Sequence, residues 1–137
     1  MSRGASVNDP DGQGITPLTM AVRKKNKRLV DLLISHGADV DGANGLIGGP
    51  ILLAAEEGLR DIVMALLSRK ANVNKFHEED RRTPLHWAAH NGHKDVVSLL
   101  MSNGANVHAV DRYGKQPCDY AAQRGHAEIV RMLNSGA

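Results

Sequence analysis

Aromatic side chains are nearly missing from this chain of 137 residues, which has one Phe, one Trp and two Tyr. A core without large rings has to be filled at short range by Ala, Val, Ile, Leu and Met, which favours closely packed helices. Cysteine occurs once, as Cys118, so no internal disulfide can form and a reducing intracellular compartment, cytoplasmic or nuclear, is expected. No N-terminal run is apolar enough for a signal peptide or a membrane span, so no membrane partner is expected either.

Charge of a single sign is also lacking. The net charge is +2, yet residues 1–36 hold six basic and three acidic side chains, while residues 37–69 hold two and five. The two remaining quarters each carry about +1. Such alternation gives no continuous track for a phosphate backbone, so nucleic acid is not expected as a partner.

What the chain has in abundance is repetition. Pro17, Pro50, Pro84 and Pro117 recur at spacings of 33, 34 and 33. Written from each proline, the copies read "PLTMAVRKKNKRLVDLLISHGADVD", "PILLAAEEGLRDIVMALLSRKANVN", "PLHWAAHNGHKDVVSLLMSNGANVH" and "PCDYAAQRGHAEIVRMLNSGA". The segments between them are glycine- or charge-rich and lack periodicity.

The third copy explains the others. Thr83 is placed to cap a helix and Pro84 to fill its first position, where a missing N–H costs nothing. Ala88 and Ala89 give that helix a face that a neighbour can approach closely, and Gly92 stops it. A second helix follows from about His93, with Val96, Val97, Leu99 and Leu100 on one side at helical spacing. The matching quartets are Leu29, Val30, Leu32 and Leu33; Ile62, Val63, Ala65 and Leu66; and Ile129, Val130, Met132 and Leu133. A helix pair this short cannot bury such a face alone, so the copies must stack.

The order T-P-L-H, A-A, G-H, V-V, L-L, G-A-x-V over nearly the whole chain resembles the ankyrin repeat. That resemblance implies an all-α solenoid of stacked helix-turn-helix units with projecting β-hairpin-like fingers. One domain, 1–137, would comprise repeats at about 9–41, 42–74, 75–108 and 109–137, with residues 1–8 similar to the tail of a preceding repeat. Leu18, Leu29 and Leu32 would then be partly uncovered. Several positions depart from the pattern. Gly49 and Gln116 replace the capping threonine, and Lys25 and Lys70 replace glycine, each costing about 1 kcal/mol if held left-handed. The third finger, "KFHEEDRR", carries one extra residue.

Chemical motifs are scarce. The glycines of residues 42–49 lack a preceding strand and a P-loop lysine, so they read as a finger and not as a nucleotide site. His86, His90 and His93 are close in sequence, but no cysteine or carboxylate completes a zinc set, and the resemblance gives His86 and His93 hydrogen-bonding roles. Cys118 reads as a small hydrophobe. Asn8 and Asn74 resemble the asparagine that intracellular hydroxylases modify in this family. No enzyme activity, small-molecule substrate, metal or cofactor is expected.

The resemblance implies recognition of a protein or peptide by a monomer, through finger tips and the exposed ends of the first helices. Carried over by alignment, the finger positions are Gln13 and Ile15; Leu46; Phe76 and Arg82; and Arg112, Tyr113 and Lys115. The helix positions are Arg23 and Lys24; Glu56 and Glu57; His90 and Asn91; and Gln123 and Arg124. Trp87, Phe76 and Tyr113 are the expected anchors, because aromatics dominate interface hot spots. A regulatory or targeting segment of a larger enzyme, channel or ubiquitin ligase is the alternative role.

Overall fold

The computed structural model describes residues 15–41 and 49–135. Gln13, Leu46 and Asn8 lie outside the described residues, as does all of the 42–49 segment except Gly49. Within them the chain forms four antiparallel helix pairs: α1 (Pro17–Arg23) with α2 (Lys27–Ser35), α3 (Pro50–Glu57) with α4 (Arg60–Ser68), α5 (Pro84–His90) with α6 (Lys94–Ser102), and α7 (Pro117–Gln123) with α8 (Ala127–Ser135). Each helix packs on its pair mate and on its counterpart in the next pair, so α1, α3, α5 and α7 make one row and α2, α4, α6 and α8 another. This is the stacked arrangement that the repeat period demands.

Small side chains set the spacing of the first row. Ala21, Ala54, Ala55, Ala88, Ala89 and Ala121 are all fully buried there, leaving room for neighbouring backbones to approach. The second row supplies bulk through Val30, Leu33, Ile62, Val63, Leu66, Val96, Val97, Leu100, Ile129 and Leu133. The third member of each sequence quartet falls at the margin: Leu32 is 49% exposed, while Ala65, Leu99 and Met132 are half-buried. Leu18 is not uncovered; it is among the most buried side chains.

Every first-row helix begins with proline, but each solves its N-terminus differently. Thr16 Oγ1 accepts from the Thr19 amide at 3.3 Å. Thr83 and His86 bond reciprocally: the Thr83 amide donates to His86 Nδ1 at 3.0 Å and the His86 amide to Thr83 Oγ1 at 3.4 Å. In the last pair Asp119 Oδ2 reaches back to the Gln116 amide at 2.8 Å. Only α3, led by Gly49, has no side-chain cap. With glycine at the cap, the missing bond costs only about a few tenths of a kcal/mol.

Two further ladders tie the pairs together. Asp41 Oδ1 accepts from the Asn72 amide and Asn74 Oδ1 from the Asn106 amide, both at 2.8 Å. In the third finger, the His77 amide donates to the Arg82 carbonyl at 3.1 Å and the Arg81 amide to His77 at 2.7 Å, with Arg81 left-handed. The fourth finger docks on it, its Arg112 amide donating to Asp80 O at 2.9 Å and Arg112 Nη1 to Glu79 O at 2.9 Å. No regular strand forms among the described residues, so the fingers are hairpin-like turns.

Candidate partner-binding face

The first-row helices end on Arg23, Glu57, His90 and Gln123, and those ends lie on one side of the stack because the helices run side by side in register. Arg23, Lys24, Glu57, Gln123 and Arg124 are exposed, and Glu56, His90 and Asn91 are half-buried. A groove of about 430 Å³ runs along this side, lined by Arg23, Leu52, Leu53, Glu56, His77, Asp80 and Trp87. Three expected contact residues, Arg23, Glu56 and Trp87, thus come together. His77 and Asp80 were not anticipated; the extra residue in their finger was the available signal.

The groove wall is fixed by bonds between repeats. The Glu56 carbonyl accepts from Asn91 Nδ2 at 3.0 Å and from His93 Nε2 at 2.9 Å, and the His90 carbonyl accepts from His126 Nε2 at 3.2 Å. Asn91 is therefore drawn into the scaffold, with His90 Nδ1 at 3.0 Å from its Oδ1. At Glu56, burial and then the charge of Glu57 push the carboxyl above its ordinary range, against the pull of His90.

Arg82 also has an internal role. Its guanidinium lies 5.1 Å from the Trp87 ring centre and 4.8 Å from that of Tyr120, while Nη2 donates to Tyr120 Oη at 3.0 Å and Nε to Asp111 Oδ2 at 3.4 Å. Tyr120 Oη donates to Asp111 Oδ2 as well. Asp111 Oδ1 takes the amides of Tyr113 and Lys115, at 2.8 and 3.0 Å. Burial alone would raise the Asp111 carboxyl, but the bonds from Tyr120, the two amides and Arg82 outweigh it and hold it below the usual range. This network braces the third finger against the last helix pair.

His86 completes the brace. Because Nδ1 accepts from Thr83, the proton resides on Nε2, which donates to the Lys115 carbonyl at 2.9 Å. Burial lowers its pKa, opposed by that bond to Lys115. His86, His90 and His93 therefore bond in three separate places and do not converge.

The remaining candidates divide. Phe76 is 51% and Tyr113 64% exposed on the finger tips, where Arg112 lies 5.8 Å from the Tyr113 ring; Lys115 is exposed too. Ile15 is 7% exposed and packs inward, so it is a core residue and offers no contact surface. Cys118 is half-buried against the core, with burial raising its thiol. Asn74 uses its side chain to hold the third repeat, through the Asn106 amide and the Gly104 carbonyl.

Comparison with known proteins agrees with this architecture. The family model for ankyrin repeats (3 copies) matches residues 1–77 and 51–137, and the chain belongs to the ankyrin repeat family. Ankyrin repeats are generally protein-interaction modules and typically non-catalytic. Among relatives, potassium channel AKT1 of Oryza sativa is 40% identical over 68 residues, 50% of this chain and 7% of the channel. Alpha-latrotoxin-Lt1a of Latrodectus tredecimguttatus is 30% identical over 89 residues, 64% of this chain and 6% of the toxin. Ankyrin repeat domain-containing protein 13C of Xenopus tropicalis is 32% identical over 83 residues, 61% of this chain and 16% of that protein. The match thus spans under a fifth of each relative. No helix among the described residues is long and apolar enough to cross a membrane.

Proposed function

We propose that this chain recognises a protein partner through the side of the stack formed by the ends of the first-row helices and the finger tips. The observation that carries this reading is the groove in which Arg23, Glu56 and Trp87 meet over Leu52 and Leu53. It combines an apolar floor, an aromatic side chain and charges of both signs, the composition of a recognition surface. Scaffold bonds from Asn91, His93 and Arg82 hold the groove's shape before any partner arrives, which lowers the entropy cost of binding. The role is binding without catalysis: His86 and Asp111, whose pKa values are shifted, are already bonded into the fold.

A pull-down from lysate tests this directly. The Glu56→Arg, Glu57→Arg variant, shown to be equally folded by circular dichroism, should lose a partner that the unaltered chain captures. Retention of the same partners by both would overturn the reading. The second reading, a segment that regulates or targets a larger enzyme, channel or ubiquitin ligase, is favoured by the relatives, in which the matched stretch is 6 to 16% of the protein. Sequencing the complete transcript distinguishes it.

A further inference from the structure

The groove places its charges unevenly, and that unevenness defines what fits it. We propose that it seats an arginine or lysine of an extended partner segment, the aliphatic stem on Leu53 and Trp87 and the cation between the carboxylates of Glu56 and Asp80. This rests on the concave-face reading above and names the chemistry recognised.

The first support is the position of Glu56 and Glu57. They form the last turn of α3, where the helix dipole disfavours negative charge, and α3 has no basic residue in that turn. The equivalent turns end on Arg23 in α1 and His90 in α5. Two adjacent carboxylates at a helix C-terminus disfavour the isolated fold. Among the described residues, Lys25 approaches Glu57 only to 4.0 Å and no Lys or Arg ion-pairs with Glu56. A partner's cation would supply what the helix end lacks, and would reverse the upward push on the Glu56 carboxyl.

The second support is the opposite wall. Asp80 is held in place by its own turn, Oδ1 accepting from the Arg82 amide at 2.9 Å with His77 Nδ1 at 3.9 Å. The indole of Trp87 carries one guanidinium, that of Arg82, the kind of contact that its π face makes with cationic side chains. Arg82 is bonded to Asp111, and Asp80, which also feels Arg82 and His77, adds a second carboxylate to the groove beside that of Glu56.

The far end sets the register. Arg23 lines the groove from α1 and repels a second cation there. Neighbouring helices stand roughly 8–10 Å apart and an extended chain rises about 3.3 Å per residue. The preferred segment therefore carries one basic residue, with a neutral or acidic residue about three positions away.

Selection of random linear peptides displayed on phage against the immobilised chain tests this. Enriched peptides should carry Arg or Lys with that spacing. Trp87 is the sole tryptophan, so its fluorescence gives the Kd. Replacing the peptide arginine by citrulline, or Glu56 by Gln, should weaken binding roughly tenfold or more. Enriched peptides that are lost with a folded Trp87→Ala variant but need no basic residue would overturn the cation assignment and leave the concave-face reading standing. If no enriched peptide responds to Trp87→Ala or Glu56→Gln, both fall together.

Discussion

The imidazole of His93 occupies the space directly beside Gly58, where an added Cβ would lie 2.5 Å from His93 Nδ1. The same relationship recurs one repeat later, with 2.8 Å between a Cβ on Gly92 and His126 Cε1. Glycine is required here for two reasons: the backbone is left-handed, and the next repeat's histidine needs the room. Gly58→Ala should therefore destabilise by more than the roughly 1–2 kcal/mol of left-handed strain alone. Urea unfolding of Gly58→Ala, with and without His93→Ala, checks this. The second change should remove part of the penalty by clearing the clash.

The lysines at glycine positions are tolerated because their surroundings are open. Lys25 is left-handed, but Leu59 stands where the later repeats place their histidine, so no ring presses on it. At Gly37 and Gly104, the counterparts of Lys70, a Cβ would meet nothing within 4 Å. Lys70→Gly should therefore stabilise by about 0.5–1 kcal/mol, the strain relieved less the entropy cost of glycine. A rise in the midpoint of thermal unfolding is the expected reading.

The Arg82, Asp111 and Tyr120 network should be worth more to folding than to binding. Asp111→Ala strands the amides of Tyr113 and Lys115 along with Arg82, and should cost about 3 kcal/mol or more. Arg82→Ala leaves Asp111 with three donors and should cost less, about 1–3 kcal/mol. Urea titrations of the two single variants and the double variant should give non-additive losses.

Acid should weaken the stack in two stages. His86 has a lowered pKa, so its stabilising effect is complete above the ordinary 6.5 and declines as pH falls below that value toward its folded pKa. Asp111, also lowered, contributes above the ordinary 3.8 and its effect is lost as pH falls through its folded pKa. Glu56 runs the other way: its raised pKa means protonation favours the fold. Unfolding free energies between pH 7.5 and 5 should decline in the unaltered chain and decline less in His86→Gln.

Much of this was legible because a repeat states its fold several times. The prolines, alanine pairs and apolar quartets placed all eight described helices, since burial at helical spacing needs only local pattern. The inward turn of Arg82 was not legible: it depends on Asp111 and Tyr120, 29 and 38 residues away, meeting at one point. His77 and Asp80 left one trace, the extra residue in their finger, but their place in the groove beside Trp87 depends on how that hairpin turn folds. Ile15 misled because a finger position predicts exposure, whereas its side chain faces the core.

Site-specific crosslinking tests the central claim most directly. Benzoylphenylalanine placed at Trp87, in the groove, is compared with the same group at Ser98, on the exposed surface of α6. The account predicts a covalent adduct with a lysate protein from position 87 and none from position 98. An adduct from position 98 alone, or equal adducts from both, would contradict it.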